Sequence, residues 1–134
     1  MPIERKLAAI MFTDIAGYTA LSAKDSTKAS ELLTTQRDTL KPIVEKHGGS
    51  WMKEIGDGLL LTFDSATSAV ECSIAIQEAT KKIEDLNLRI GIHEGEVIKQ
   101  DGEVIGDDVN VASRIEPFSA IGVVAISHKI EQAI

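Results

Sequence analysis

Gly56-Asp57-Gly58 stands between two runs with the make-up of β-strands, Ser50 to Ile55 and Leu59 to Phe63. Asp-Gly between such runs is a strong short-range signal for a hairpin, because the tight turn needs positive backbone angles that these residues tolerate. The middle of the chain is thus antiparallel β-structure.

Around it, residue patterns predict the other elements. Leu7-Ala8-Ala9-Ile10-Met11-Phe12 is an apolar run of strand length, read as a buried strand. It leads into Thr13-Asp14-Ile15-Ala16-Gly17-Tyr18-Thr19, where Gly17 breaks the pattern and a helix can start. From about Ser26 to His47 the residues Leu32, Leu33, Gln36, Leu40, Ile43, Val44 and His47 fall on one helical stripe, ended by Gly48-Gly49. Pro42 inside that stretch predicts a kink, or a break between two helices. Asp64 or Ser65 can cap the next helix, which carries Ala69, Cys72, Ile76 and Ala79 on one face. Leu86, Leu88, Ile90 and Ile92 alternate with Asn87, Arg89, Gly91 and His93, a strand with one buried face. Gly95 to Gly102 continues that strand into a turn. Val109 to Glu116 is a short helix stopped by Pro117, Val123 to Ile126 is a last strand, and Ser127 caps a terminal helix. The order predicts one α+β domain over residues 1–134: a ferredoxin-like antiparallel sheet with helices packed on one face.

A chain of 134 residues is long enough for a single hydrophobic core. Its formal charge of −7, from 21 acidic and 14 basic residues, argues against a nucleic-acid partner, which requires a basic face. An anionic substrate would have to be met by local cations or metal ions. Cys72 is the single cysteine and can form no internal disulfide, which fits a reducing compartment. No apolar stretch approaches the roughly 20 residues that cross a bilayer, and Met1-Pro2-Ile3-Glu4-Arg5-Lys6 lacks the order of a signal peptide. The expected setting is cytoplasmic, with no membrane contact from this segment.

Two carboxylates carry the chemical argument. Asp14 sits where a buried strand gives way to a glycine loop, and loop amides near a helix start can face a phosphate. Taken alone, Asp14 is read as a helix cap and Asp57 as turn chemistry. In a ferredoxin-like sheet, however, the first strand lies beside the central hairpin, so both can share one end of the sheet. Carboxylates that close repel unless a cation joins them, and Mg²⁺ is held by one or two carboxylates plus substrate phosphates.

These residues also resemble a family. Phe12-Thr13-Asp14-Ile15-Ala16-Gly17-Tyr18-Thr19 is similar to the first metal motif of class III nucleotidyl cyclases. Lys53-Glu54-Ile55-Gly56-Asp57-Gly58 resembles their second, Arg89-Ile90-Gly91-Ile92-His93-Glu94-Gly95 the strand that follows, and Val109-Asn110-Val111-Ala112-Ser113-Arg114-Ile115 their transition-state helix. Four motifs in order, spanning essentially the whole chain, are far more specific than any one. The resemblance implies a head-to-tail homodimer with sites at the interface. It implies that Asp14 and Asp57, helped by the Ile15 carbonyl, bind two Mg²⁺ or Mn²⁺ ions, and that Phe12, Gly17, Tyr18 and Thr19 line the triphosphate loop. From the second subunit, Lys53 and Glu103 would meet the base, Asn110 the ribose and Arg114 the reacting phosphate.

Lys53 and Asp57 are close in sequence, and local reasoning would join them in a salt bridge, whereas the resemblance assigns them to different sites of the dimer. A lysine and a carboxylate could serve adenine or guanine if their positions were exchanged, so residue type leaves the base open. The resemblance favours ATP over GTP, since adenylate-type members carry Lys at the position of Lys53 and guanylate-type members Glu. Glu103 departs from the usual Asp. Family domains continue with further strands and a triphosphate-gripping lysine; Lys129 comes too early to match it, and Ala120-Ile121-Gly122-Val123 replaces a Pro-Gly-Gly-like turn. The resemblance is thus to a C-terminally shortened catalytic domain. The rival reading is a cyclase-like module that binds nucleotide or dimerises without turnover.

Overall fold

The computed structural model describes residues 4–100, 103–118 and 124–134. Six strands form one sheet: β1 (Glu4–Ile15), β2 (Ser50–Ile55), β3 (Gly58–Phe63), β4 (Leu88–Gln100), β5 (Glu103–Ile105) and β6 (Val124–Ile126). The path across it is β2-β3-β1-β4-β5, and β6 lies beside β4. The helices are α1 (Tyr18–Lys24), α2 (Ser26–Lys46), α3 (Ala66–Thr80), α4 (Asp107–Ile115) and α5 (His128–Ala133), with a 3₁₀ turn at Glu116–Phe118.

The hairpin forms as expected, with Ile55 opposite Gly58. β3 pairs antiparallel with β1, and β1 with β4 along its whole length, from Glu4 opposite Lys99 to Ile15 opposite Leu88. Side chains alternate across a strand, and here both faces are apolar. Ala9, Met11, Ile15, Leu59, Leu61, Phe63, Leu88, Ile90 and Ile92 join the main core with Leu32, Leu40 and Val44 of α2 and Ala69, Cys72 and Ile76 of α3. Ala8, Ile10, Leu60 and Val97 face the other way and pack with Val104 and with Ala112 of α4. Each large aliphatic side chain so buried contributes about 1.5–3 kcal/mol.

The α+β class stands, with several departures in detail. Helices cover both faces, not one: Ala8 and Ile10 are as apolar as Ala9 and Met11, so the second face also needs a cover, and α4 supplies it. The sheet is mixed, because β6 runs parallel to β4. β1 extends to Ile15, so Asp14 lies within the strand. The chain makes a separate helix, α1, before α2; Asp25 divides them and caps α2 by accepting the Lys28 N–H at 3.0 Å. α2 passes through Pro42 without a break. Ser65, not Asp64, caps α3, and Ala79 is only half-buried. β5 was not anticipated. Ala120 to Val123 and the side chain of Lys129 lie outside the described residues. No helix among the described residues is long and apolar enough to cross a membrane.

Candidate active site

The β1–β4 register sets Asp14 opposite Arg89. Arg89 Nε donates to Asp14 Oδ1 at 2.9 Å and Nη2 to Oδ2 at 3.1 Å, a two-pronged contact suited to a planar guanidinium. The hairpin turn brings Asp57 to the same place: its Oδ2 accepts the backbone N–H of Ile15 at 2.9 Å, one residue beyond Asp14. Gln36 of α2 steadies that turn, with Nε2 donating to the Asp57 carbonyl at 3.4 Å. The two aspartates anticipated to share one end of the sheet therefore do so.

A third carboxyl joins them. Glu116, 6% exposed, is the first residue of the 3₁₀ turn. Burial pushes its carboxyl up to about 8, and the hydrogen bond to Asp14 and the charge of Asp14 act in the same direction; Arg89 opposes them. At neutral pH the Glu116 carboxyl is therefore protonated beside Asp14. The guanidinium of Arg89 is held above its ordinary value by its bond to Asp14.

Sequence reasoning assigned no role to Arg89 or Glu116. The available signal was Gly91, because glycine inside a strand often marks a close backbone approach. A Cβ at Gly91 would run into the backbone of Glu116.

The donor chemistry fits a hard divalent cation. Among the described residues three buried side-chain oxygens lack a hydrogen-bond partner: Thr13 Oγ1, Gln36 Oε1 and Glu116 Oε2. Two of them adjoin the aspartates, Gln36 through Asp57 and Glu116 through Asp14, while Thr13 points to the opposite face of β1 from Asp14. Such orphaned oxygens call for a water or an ion. No set of three His, Cys, Asp or Glu side chains among the described residues converges as a metal cage. Two carboxylates short of a cage suit Mg²⁺ or Mn²⁺, which completes its shell with water and phosphate.

The other expected residues divide into four places. Gly17 takes a left-handed conformation (φ 78°) at the start of α1; it and Thr19 are exposed, while Tyr18 is half-buried against the main core. Phe12 packs partly on the α4 side. Lys53 turns to Glu103, with Nζ 3.6 Å from Oε2, and not to Asp57, so the local salt bridge is corrected. Asn110 and Arg114 are exposed on α4, four residues apart and so on one helix face. Among the described residues, no hydrogen bond or ion pair joins Lys53, Glu103, Asn110 or Arg114 to the aspartate cluster.

The sequence and the fold are both similar to those of known proteins. The family model described as "Adenylate and Guanylate cyclase catalytic domain" matches residues 4–134. A putative adenylate cyclase 3 of Rhizobium meliloti (strain 1021) is 40% identical over 97% of this chain, which spans 24% of that protein. The catalytic core of a rhodopsin-guanylyl cyclase with converted specificity, in complex with ATPalphaS, superposes with TM-score 0.93 at 29% identity, covering 100% of this chain and 84% of that one. The adenylyl cyclase CyaB from P. aeruginosa gives 0.90 at 28% identity, covering 100% and 83%. The chain belongs to the adenylate and guanylate cyclase catalytic domain family. It spans about a quarter of the length of the curated relative above.

Proposed function

We propose that this chain converts ATP into 3′,5′-cyclic AMP and pyrophosphate. The observation that carries the reading is the Asp57–Ile15 hydrogen bond, which sets one carboxylate beside the other at the opening of a glycine loop. Asp14 and Asp57, with the Ile15 carbonyl, would hold two Mg²⁺ or Mn²⁺ ions. Bound there, the ions would acidify the 3′-hydroxyl and neutralise the triphosphate. The 3′-oxygen then bonds to the α-phosphorus as the bond to pyrophosphate breaks, and the hydroxyl proton leaves. Phe12, Gly17, Tyr18 and Thr19 would line the triphosphate.

Lys53, Glu103, Asn110 and Arg114 make no hydrogen bond or ion pair with the aspartates within one chain. This supports a site completed by a second copy, with Lys53 and Glu103 on the base, Asn110 on the ribose and Arg114 on the reacting phosphate. Arg114 suits the last task because its fork matches phosphate oxygens and stays charged. The setting proposed is cytoplasmic, where ATP is available.

A donor lysine next to an acceptor carboxylate can also read guanine, so GTP is the second candidate. Product formation from ATP and from GTP with Mn²⁺, for the parent chain and Asp57→Ala, tests both readings. Equal product from the two proteins defeats the metal assignment and favours a non-catalytic module.

A further inference from the structure

His93 is 6% exposed on β4 and has a partner at each ring nitrogen. Nε2 lies 3.0 Å from Asp108 Oδ1, in the first turn of α4, and Nδ1 lies 2.8 Å from Ser127 Oγ, the cap of α5. Asp108 Oδ2 accepts the backbone N–H of Glu96 at 3.0 Å. Ser127 is fixed in turn, its N–H donating to the Ile92 carbonyl at 3.0 Å and its Oγ accepting from the Ile130 N–H at 3.4 Å. A neutral ring satisfies the whole chain: Nε2–H donates to the carboxylate, Nδ1 accepts the serine hydroxyl, and the hydroxyl oxygen accepts the Ile130 amide. Gly95 leaves the room for this, since a Cβ there would collide with the Asp108 carboxylate.

The link is a directional anchor for a helix that buries few apolar side chains of its own. Ala112 is its one wholly buried side chain, with Val109 partly packed beside it. Val111 and Ile115 are half-buried, so a small apolar patch seats the helix, and non-directional contacts of this kind leave its exact rotation to directional bonds. Asp107, exposed next door, already places negative charge at the helix start, so the dipole alone does not account for Asp108 turning toward the sheet.

We propose that the His93–Asp108 hydrogen bond is a positioning link that sets the register of α4 against the sheet and thereby aims Asn110 and Arg114. This rests on the cyclase reading above. Neither residue touches the reacting atoms; both act through the helix.

The test compares the whole chain with its Asp108→Ala, His93→Leu and His93→Gln variants, by steady-state kinetics with ATP and Mn²⁺ and by hydrogen exchange of backbone amides. Asp108→Ala and His93→Leu are expected to lower kcat by roughly 100-fold, the scale of a small misplacement of catalytic groups, with KM for ATP little changed. Their α4 amides should exchange faster while those of β1 and α2 keep parental rates. His93→Gln retains a donor toward Asp108 and should restore most of the activity and the α4 protection lost in His93→Leu. Parental kcat and α4 protection in Asp108→Ala would overturn the proposal, and so would a His93→Gln variant no better than His93→Leu. If the parent itself makes no cyclic nucleotide, the cyclase reading fails, and amide exchange alone then decides whether the link holds the helix.

Discussion

Arg89 holds both carboxylate oxygens of Asp14 across the β1–β4 pair, at 2.9 and 3.1 Å. The protein thus carries its own cation where a metal ion is expected. Removing it by Arg89→Ala leaves Asp14 facing Asp57 and Glu116 without compensation. The metal-free variant should lose about 1.5–3 kcal/mol of stability, the value of a hydrogen bond to a charged group. Added Mn²⁺ should then raise its melting temperature more than that of the parent. Equal shifts in the two proteins would contradict this competition.

Asp57→Asn separates the charge of that side chain from its structural bond. The amide oxygen can still accept the Ile15 N–H, so the hairpin tip should stay in place and the melting temperature should hardly move. Cyclic nucleotide formation should nonetheless fall at least about 100-fold, because a neutral amide is a poor ligand for Mg²⁺ or Mn²⁺.

Glu116 makes stability depend on pH in a defined direction. Its carboxyl titrates at about 8 in the folded protein against an ordinary 4.5, so between those values the folded state holds a proton that the unfolded chain releases. The stabilisation is fully present below pH 4.5 and is lost as pH rises through 8. Metal-free parent protein should melt at progressively lower temperature from pH 5 to 8.5. Glu116→Gln, which mimics the protonated group, should flatten that trend and lead the parent by about 2–4 kcal/mol at the alkaline end. Parallel melting curves would refute it.

Gly91→Ala should destabilise by about 1–3 kcal/mol, because the added methyl meets the backbone of Glu116 and not a yielding side chain. Denaturant titration measures the loss. Since Glu116 directly follows α4, activity should fall with it.

Complementation tests whether the site is shared between copies. Asp57→Ala and Arg114→Ala should each be inactive alone. Mixed in equal amounts, half the dimers are hybrids with one intact site of two, so activity should return to about a quarter of the parental level. No recovery, under conditions where subunits exchange, would place both residues in one chain's site.

The elements visible in the sequence were those with local causes. Asp57 between glycines announces a turn through backbone angles alone, and Leu88, Ile90 and Ile92 announce a strand by alternation. The position of Asp14 followed once the hairpin was placed beside the first strand. Arg89 was hidden because its partner lies 75 residues away, and register across β1 and β4 is set by the packed sheet. Glu116 reads as a polar helix end, and only the missing side chain of Gly91 beneath it reveals the burial. β5 is three residues long, too short for any periodicity, and the parallel course of β6 depends on where the chain returns.

The Lys53–Glu103 pair ties β2 to β5, the two outermost strands of the path. In a flat sheet four inter-strand spacings would hold those edges about 19 Å apart, so the sheet must twist and curve strongly to bring the two side chains together. Both side chains are exposed, and such a pair is worth roughly 0–1 kcal/mol. The bridge between the two edges is therefore a weak clasp, which any competing polar partner would unfasten at almost no energetic penalty.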